Sequence, residues 1–143
     1  MLAEARQATA PNSLDLANRL VSLGDSLLQL DDYKAAEQLF RECLAIREQH
    51  QPEDWTTFNT RSLLGASLLG QSKFAEAEPI LLSGYEGLVQ RTESIPANAK
   101  SRLTVALQRL SELYTRWHAA EPDRGHDVKA AEWQNKQPAE NSK

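Results

Sequence analysis

Residues 64–78 read LGASLLGQSKFAEAE and residues 23–37 read LGDSLLQLDDYKAAE. Seven of the fifteen positions are identical at an offset of 41 residues, and Phe74 answers Tyr33. Self-similarity at a period between about 20 and 50 residues marks folds in which each unit buries its apolar face only against its chain neighbours. Whatever one copy folds into, the other must match, and the two must lean on each other.

The copies have a helical period. Leu16, Leu20, Leu23, Leu27 and Leu30 are spaced 4, 3, 4 and 3 residues apart, one stripe of a helix from about Ser13 to Leu30. Asn12 or Ser13 is its expected N-cap, since a short polar side chain accepts from the unpaired N–H groups of a first turn. Asp31 and Asp32 are expected to cap a second helix that buries Ala36, Leu39, Phe40, Cys43 and Leu44 and ends near His50, before Pro52. The second copy predicts a helix from about Asp54 to Gly70 carrying Phe58, Leu64, Leu68 and Leu69. Ser72 then caps a partner from about Lys73 to Gln90 with Ala77, Leu81, Leu82 and Leu88 inward. Pro79 falls inside that last helix, where it removes a hydrogen bond, so a kink or a late start is expected.

A third pair is fainter. Pro96 suits a first turn, and Leu103, Ala106, Leu107, Leu110 and Leu113 form an apolar face ending at Trp117. HAAEPDRGHD reads as a loop, Ala130 to Trp133 opens a short final helix, and the polar tail from residue 134 is expected to fray. Composition agrees: 21 Leu and 19 Ala against 4 Val and 3 Ile favour helix formers over β-branched residues. The expected organisation is a segment 1–12, a single all-α domain over 13–133 with units near 13–52, 53–94 and 95–133, and a tail 134–143. Gly24, Gly65, Ala36 and Ala77 are small where helices must approach closely.

Those positions carry a resemblance. Leu20, Leu23-Gly24, Leu27, Tyr33, Ala36, Phe40 and Pro52, then Leu64-Gly65, Leu68, Phe74, Ala77 and Leu81, resemble the tetratricopeptide repeat pattern, with a partial third copy in Leu107, Leu110-Ser111, Tyr114 and Ala131. The offset of 41 residues exceeds the roughly 34 of the ordinary repeat, and looks like the longer kinesin-light-chain type. The resemblance implies a right-handed superhelical stack of antiparallel helix pairs, about five to six helices in all. It implies a noncatalytic module whose first helices line a concave groove for a peptide or partner domain. Arrays of this type also occur as C-terminal parts of large bacterial proteins, including serine/threonine kinases, so a regulatory appendage of a larger enzyme is an alternative, as is self-association through an exposed end of the stack. Two strong units and a partial third, against the three that stacks usually need, suggest a piece of a longer protein.

Carried onto this chain, the family geometry places Asn18, Val21, Ser22, Asp25 and Gln29 in the groove, followed by Asn59, Ser62, Ala66 and Leu69, then Val105, Gln108, Arg109, Glu112 and Arg116. Asn18 and Asn59 are 41 apart and suited to bonding a peptide backbone. Arg102, Arg109 and Arg116 recur every seven residues, a stripe able to receive a carboxylate or simply to face solvent. Val21, Asp25 and Leu63 stand where chaperone-binding relatives have Lys, Asn and Asn, so chaperone C-termini are not the expected ligand.

Other chemistry finds little support. The net charge of −4 is unsuited to phosphate backbones or anionic lipid, so neither nucleic acid nor membrane is an expected partner. One cysteine, Cys43, allows no disulfide within the chain and fits a reducing compartment, and with no apolar run of membrane length or leader pattern the expected location is the cytoplasm. His50, His118 and His126 lack ligand spacing and are expected in solvent, and Cys43 lies on an apolar stripe. No catalytic site, cofactor or metal is expected.

Overall fold

A computed structural model of the chain describes residues 12–136. Every regular element among them is helical: α1 Leu14–Gln29, α2 Tyr33–His50, α3 Trp55–Gly70, α4 Phe74–Gln90, α5 Ser101–Ala120 and α6 His126–Asn135, with short 3₁₀ turns at Thr92–Ser94 and Ala97–Ala99. None of these helices is long and apolar enough to cross a membrane. Helices α1 and α2, α3 and α4, and α5 and α6 pair off. Each second helix packs on the first of the next pair, and α3 touches both α1 and α5. The result is a stack of helical hairpins.

Local chemistry sets the ends. Ser13 Oγ accepts from Leu16 N at 3.1 Å, so α1 is capped as expected, and Asp54 Oδ2 accepts from Thr56 N at 3.0 Å and caps α3. The turns inside the first two pairs differ from expectation. Asp32 and Lys73 head α2 and α4 without a side-chain cap. Asp31 and Ser72 take left-handed φ of 61° and 60° and belong to the end of the preceding helix. Asp32 N donates to Leu27 O at 2.9 Å and Asp31 N to Leu28 O at 3.0 Å. Lys73 N to Leu68 O at 3.0 Å and Ser72 N to Leu69 O at 2.9 Å repeat the pattern. This is the Schellman closure, which satisfies carbonyls at a helix C-terminus. It reverses the chain in three residues.

Helix α4 begins at Phe74 and continues through Pro79, so there is no late start. In the third pair, Pro96 precedes a 3₁₀ turn and α5 begins only at Ser101, then passes Trp117 to reach Ala120. The connecting loop is shorter than expected: His118 to Ala120 still belong to α5, and His126 opens α6 after Gly125, at φ 83°. Gln134 and Asn135 of the anticipated tail are helical, while residues 1–11 and 137–143 lie outside the described range.

The small residues mark close contacts. A Cβ at Gly24 would lie 2.6 Å from the Phe40 ring, and one at Gly65 would lie 2.5 Å from Leu81, the residues being equivalent at the 41-residue offset. Ala36 and Ala77 are fully buried. Around these matched contacts the two pairs distribute volume in opposite ways. In the first, Ala17 on α1 faces Cys43 and Ile46 on α2. In the second, the equivalent positions are Phe58 against Gly84 and Gly87. The Phe58 ring occupies the space a side chain at Gly87 would need, and a Cβ at Gly84 would lie 2.8 Å from Ser62 N and 3.0 Å from Phe58 O.

Polar ties join the pairs. Arg47 on α2 is buried, yet its guanidinium meets only neutral acceptors: Asn18 Oδ1 at 2.8 Å, Thr60 Oγ1 at 2.7 Å and Thr56 O at 3.3 Å. A cation so desolvated depends on these bonds. Glu37 accepts from Arg41 at 2.9 Å and from Gln71 of the second pair at 2.8 Å, with Lys73 at 3.4 Å. Its equivalent, Glu78, accepts from Tyr114 Oη at 2.7 Å and lies 3.7 Å from Lys129, both in the third pair.

Candidate partner-binding face

Helices α1, α3 and α5 lie side by side because their small and apolar residues are spent on the second helices. Their remaining polar side chains share one face. Arg109 on α5 reaches across to α3, where its Nη1 donates to Ser62 Oγ at 2.9 Å. Burial pushes its guanidinium down to about 10, while Asp25 from α1 and Glu112 from α5 favour its charge and Arg102 opposes it. Among the described residues no carboxylate comes within ion-pair distance of Arg109, and Ser62 is its single hydrogen-bond acceptor. Three helices thus bring polar or charged groups to one half-buried cation.

The expected groove residues divide into two groups. Asn18, Ser22, Gln29, Gln108 and Glu112 are exposed, and Val21, Asp25, Ala66, Val105, Arg109 and Arg116 are half-buried. Ser62 and Leu69 are buried, not open surface, because α5 covers this side of α3. Asn59 is only 8% exposed, and its amide has no hydrogen-bond partner among the described residues. Its equivalent Asn18 is engaged by Arg47. At the position equivalent to Arg47 the second pair has Leu88, so Asn59 lacks such a donor. Arg116 donates to Ser72 Oγ at 3.2 Å and sits 5.8 Å from the Phe74 ring. The arginines at 102, 109 and 116 therefore occupy different surroundings despite their common spacing.

Sequence reasoning missed the cleft beyond Arg116. It lies between α5 and α6, has a volume of about 650 Å³, and continues from the face through Gln108, Glu112 and Arg116 to Leu107 and Trp133. Trp133 is held edge-on to Tyr85 with centroids 5.5 Å apart. The only prior signal was an aromatic residue in a short, otherwise polar helix.

Other candidate groups have structural surroundings. Cys43 Sγ donates to Ala17 O at 3.3 Å, and burial pushes its thiol above the ordinary value, which disfavours a reactive thiolate. The histidines are not simply solvated: His50 Nε2 meets Asn12 O at 2.7 Å, His126 stacks on Trp117 at 4.0 Å, and His118 Nδ1 is buried without a partner. Among the described residues no three His, Cys, Asp or Glu side chains gather as a metal site.

Residues 16–50, the α1–α2 pair, match the family model described as tetratricopeptide repeat. The α1–α2 pair is a tetratricopeptide repeat by this match. No curated protein matches the chain. The second pair repeats the matched unit in turn closure, in the Gly65–Leu81 contact and in Glu78. Repeats of this family mediate interactions between proteins.

Proposed function

We propose that the face shared by α1, α3 and α5 binds a peptide or partner domain as a preformed surface. The observation that carries this reading is Arg109. It bridges α3 and α5 beside Asp25 of α1, so that groups from three hairpins converge on one face. Stacked helices hold Asn18, Asp25, Gln108, Arg109, Glu112 and Arg116 in place, which reduces the ordering cost of association.

The test is affinity capture from a cell extract, with bound proteins identified by mass spectrometry. Partners retained by the natural chain are expected to be lost with Arg109→Glu plus Arg116→Glu and kept with Lys34→Glu, an exposed change on α2, while circular dichroism shows all three helical. Equal capture by the double variant removes this face from the binding site.

A further inference from the structure

The third hairpin stops short along its length. Its first helix, α5, has 20 residues, but α6 has 10, where α2 and α4 have 18 and 17. At 1.5 Å per residue, α6 runs about 15 Å beside an α5 of about 30 Å. In the first two hairpins the later half of the second helix is packed: it buries Ile46 and Arg47 in α2, and Gly87 and Leu88 in α4. In the third, that half has no counterpart among the described residues, and α6 ends at Asn135 with Ala130 as its one buried residue. Open volume follows. Two cavities flank the last turn of α6, about 650 Å³ on the α5 side, reaching Thr104 and Leu107, and about 240 Å³ on the α4 side, reaching Tyr85 and Val89. Trp133 and Lys136 line both.

We infer that this open half-groove is a second docking site, adjoining the α1–α3–α5 face but independent of it, for a basic amphipathic helix of a partner protein that completes the third hairpin. The occupant is a helix because the groove continues an interface that helices already fill, at the place the ends of α2 and α4 take in their own pairs. The sequence that follows α6, QPAENSK, has no large apolar side chain, and its Pro138 lacks the N–H that a continuing helix uses. Two apolar side chains about one turn apart on the incoming helix meet the half-buried Trp133 and Val89 and cover the edges of Leu107 and Tyr85. The rim selects the charge. Glu86, Glu112 and Glu132 stand there against Arg116 and Lys136, three carboxylates to two cations, and the carbonyl end of α6 adds partial negative charge. The Trp133 ring already draws Lys136 Nζ to 5.4 Å from its centroid, and its face favours further cations.

Fluorescence polarisation with labelled helical peptides tests this: one pattern of leucines at helical spacing, flanked by lysines, flanked by glutamates, or with the leucines replaced by serine. Hydrogen exchange locates the bound peptide, and sedimentation equilibrium reports self-association. The lysine-flanked peptide is expected to bind about tenfold or more tighter than the other two and to protect the end of α4, the start of α5 and α6. Trp133→Ala should weaken it about tenfold, the scale of a truncated aromatic anchor. Val89→Ser, which leaves α6 untouched, should weaken it to a lesser degree. Arg109→Glu should leave it unchanged, so this site and the α1–α3–α5 face fail separately. Equal binding by lysine- and glutamate-flanked peptides, no binding by either, or protection on α1 and α3 instead overturns the inference. So does self-association that protects α6 in the absence of peptide, which assigns the groove to a second copy, or tenfold tighter peptide binding on deletion of residues 137–143, which assigns it to the segment after α6.

Discussion

The first and second helical pairs fill the same outline by opposite means. At the 41-residue offset, Ala17 with Cys43 and Ile46 becomes Phe58 with Gly84 and Gly87, so bulk moves from the second helix of one pair to the first helix of the next. The polar interior diverges too. Arg47 joins Asn18 to Thr60 across the first junction, whereas Leu88 stands in its place in the second pair and offers Asn59 no such donor. At the second junction the cation comes from the following helix, as Arg109 on Ser62, and remains open on one side. A repeated backbone plan thus tolerates exchanged volume provided the sum is kept. The same plan gives two junctions with different chemical character, the first tied by a buried arginine and the second by a half-buried one.

The largest expected effect breaks the volume exchange. Phe58→Ala empties the space above Gly84 and Gly87 and is expected to cost about 3–5 kcal/mol in urea denaturation. Adding Gly87→Ile, which returns bulk to the second helix where the Phe58 ring alone had stood in its way, should recover part of that loss; an additive or worse double variant would break the equivalence. Next, Arg47→Ala leaves Asn18 and Thr60 without their donor and should cost about 1–3 kcal/mol, with faster hydrogen exchange at the α1–α3 junction. Leu88→Ala should leave that junction's exchange unchanged. Gly84→Ala gains roughly 1 kcal/mol of helix propensity, yet its Cβ meets backbone that cannot rotate away. A net loss of about 1 kcal/mol is expected, and a stabilised variant would show that the helices separate freely.

The smallest effect concerns the equivalent glutamates. Burial works against ionisation of Glu37, but hydrogen bonds from Gln71 and Arg41 and the charge of Lys73 hold its carboxyl below the ordinary range. Its contribution is present above a pH of about 4.3 and is lost as pH falls through the folded value. Tyr114 is pushed well above the ordinary range by burial, the Glu78 hydrogen bond and the Glu78 charge. Its contribution is present below a pH of about 10 and is lost as pH rises. Glu37→Gln should therefore flatten the acid limb of the stability profile and Tyr114→Phe the alkaline limb. Each leaving the other limb unchanged would confirm that the ties act separately.

The helices were legible because their apolar residues recur at the helical period, and the stack because the period itself recurs. Asp31 and Ser72 were misassigned for a physical reason: a short polar residue between two helices suits an N-cap and a left-handed C-terminal closure alike, and only the backbone bonds decide. Arg47 carried a signal that passed unused, since it lies four residues after Cys43 and seven after Phe40, on the apolar stripe. Of the proposed binding face, the nearness of Arg109 and Asp25 could be anticipated from family geometry. The burial of Ser62, Asn59 and Leu69 could not, because it depends on how far α5 overlaps α3. The α5–α6 cleft depends on the reach of α6, whose single buried residue is Ala130.

Glu37 and Glu78 both reach forward, each completed by side chains that come later in the chain. During synthesis, each of the first two hairpins therefore leaves the ribosome with an acid whose partners follow in the next, Gln71 and Lys73 for Glu37, Tyr114 and Lys129 for Glu78.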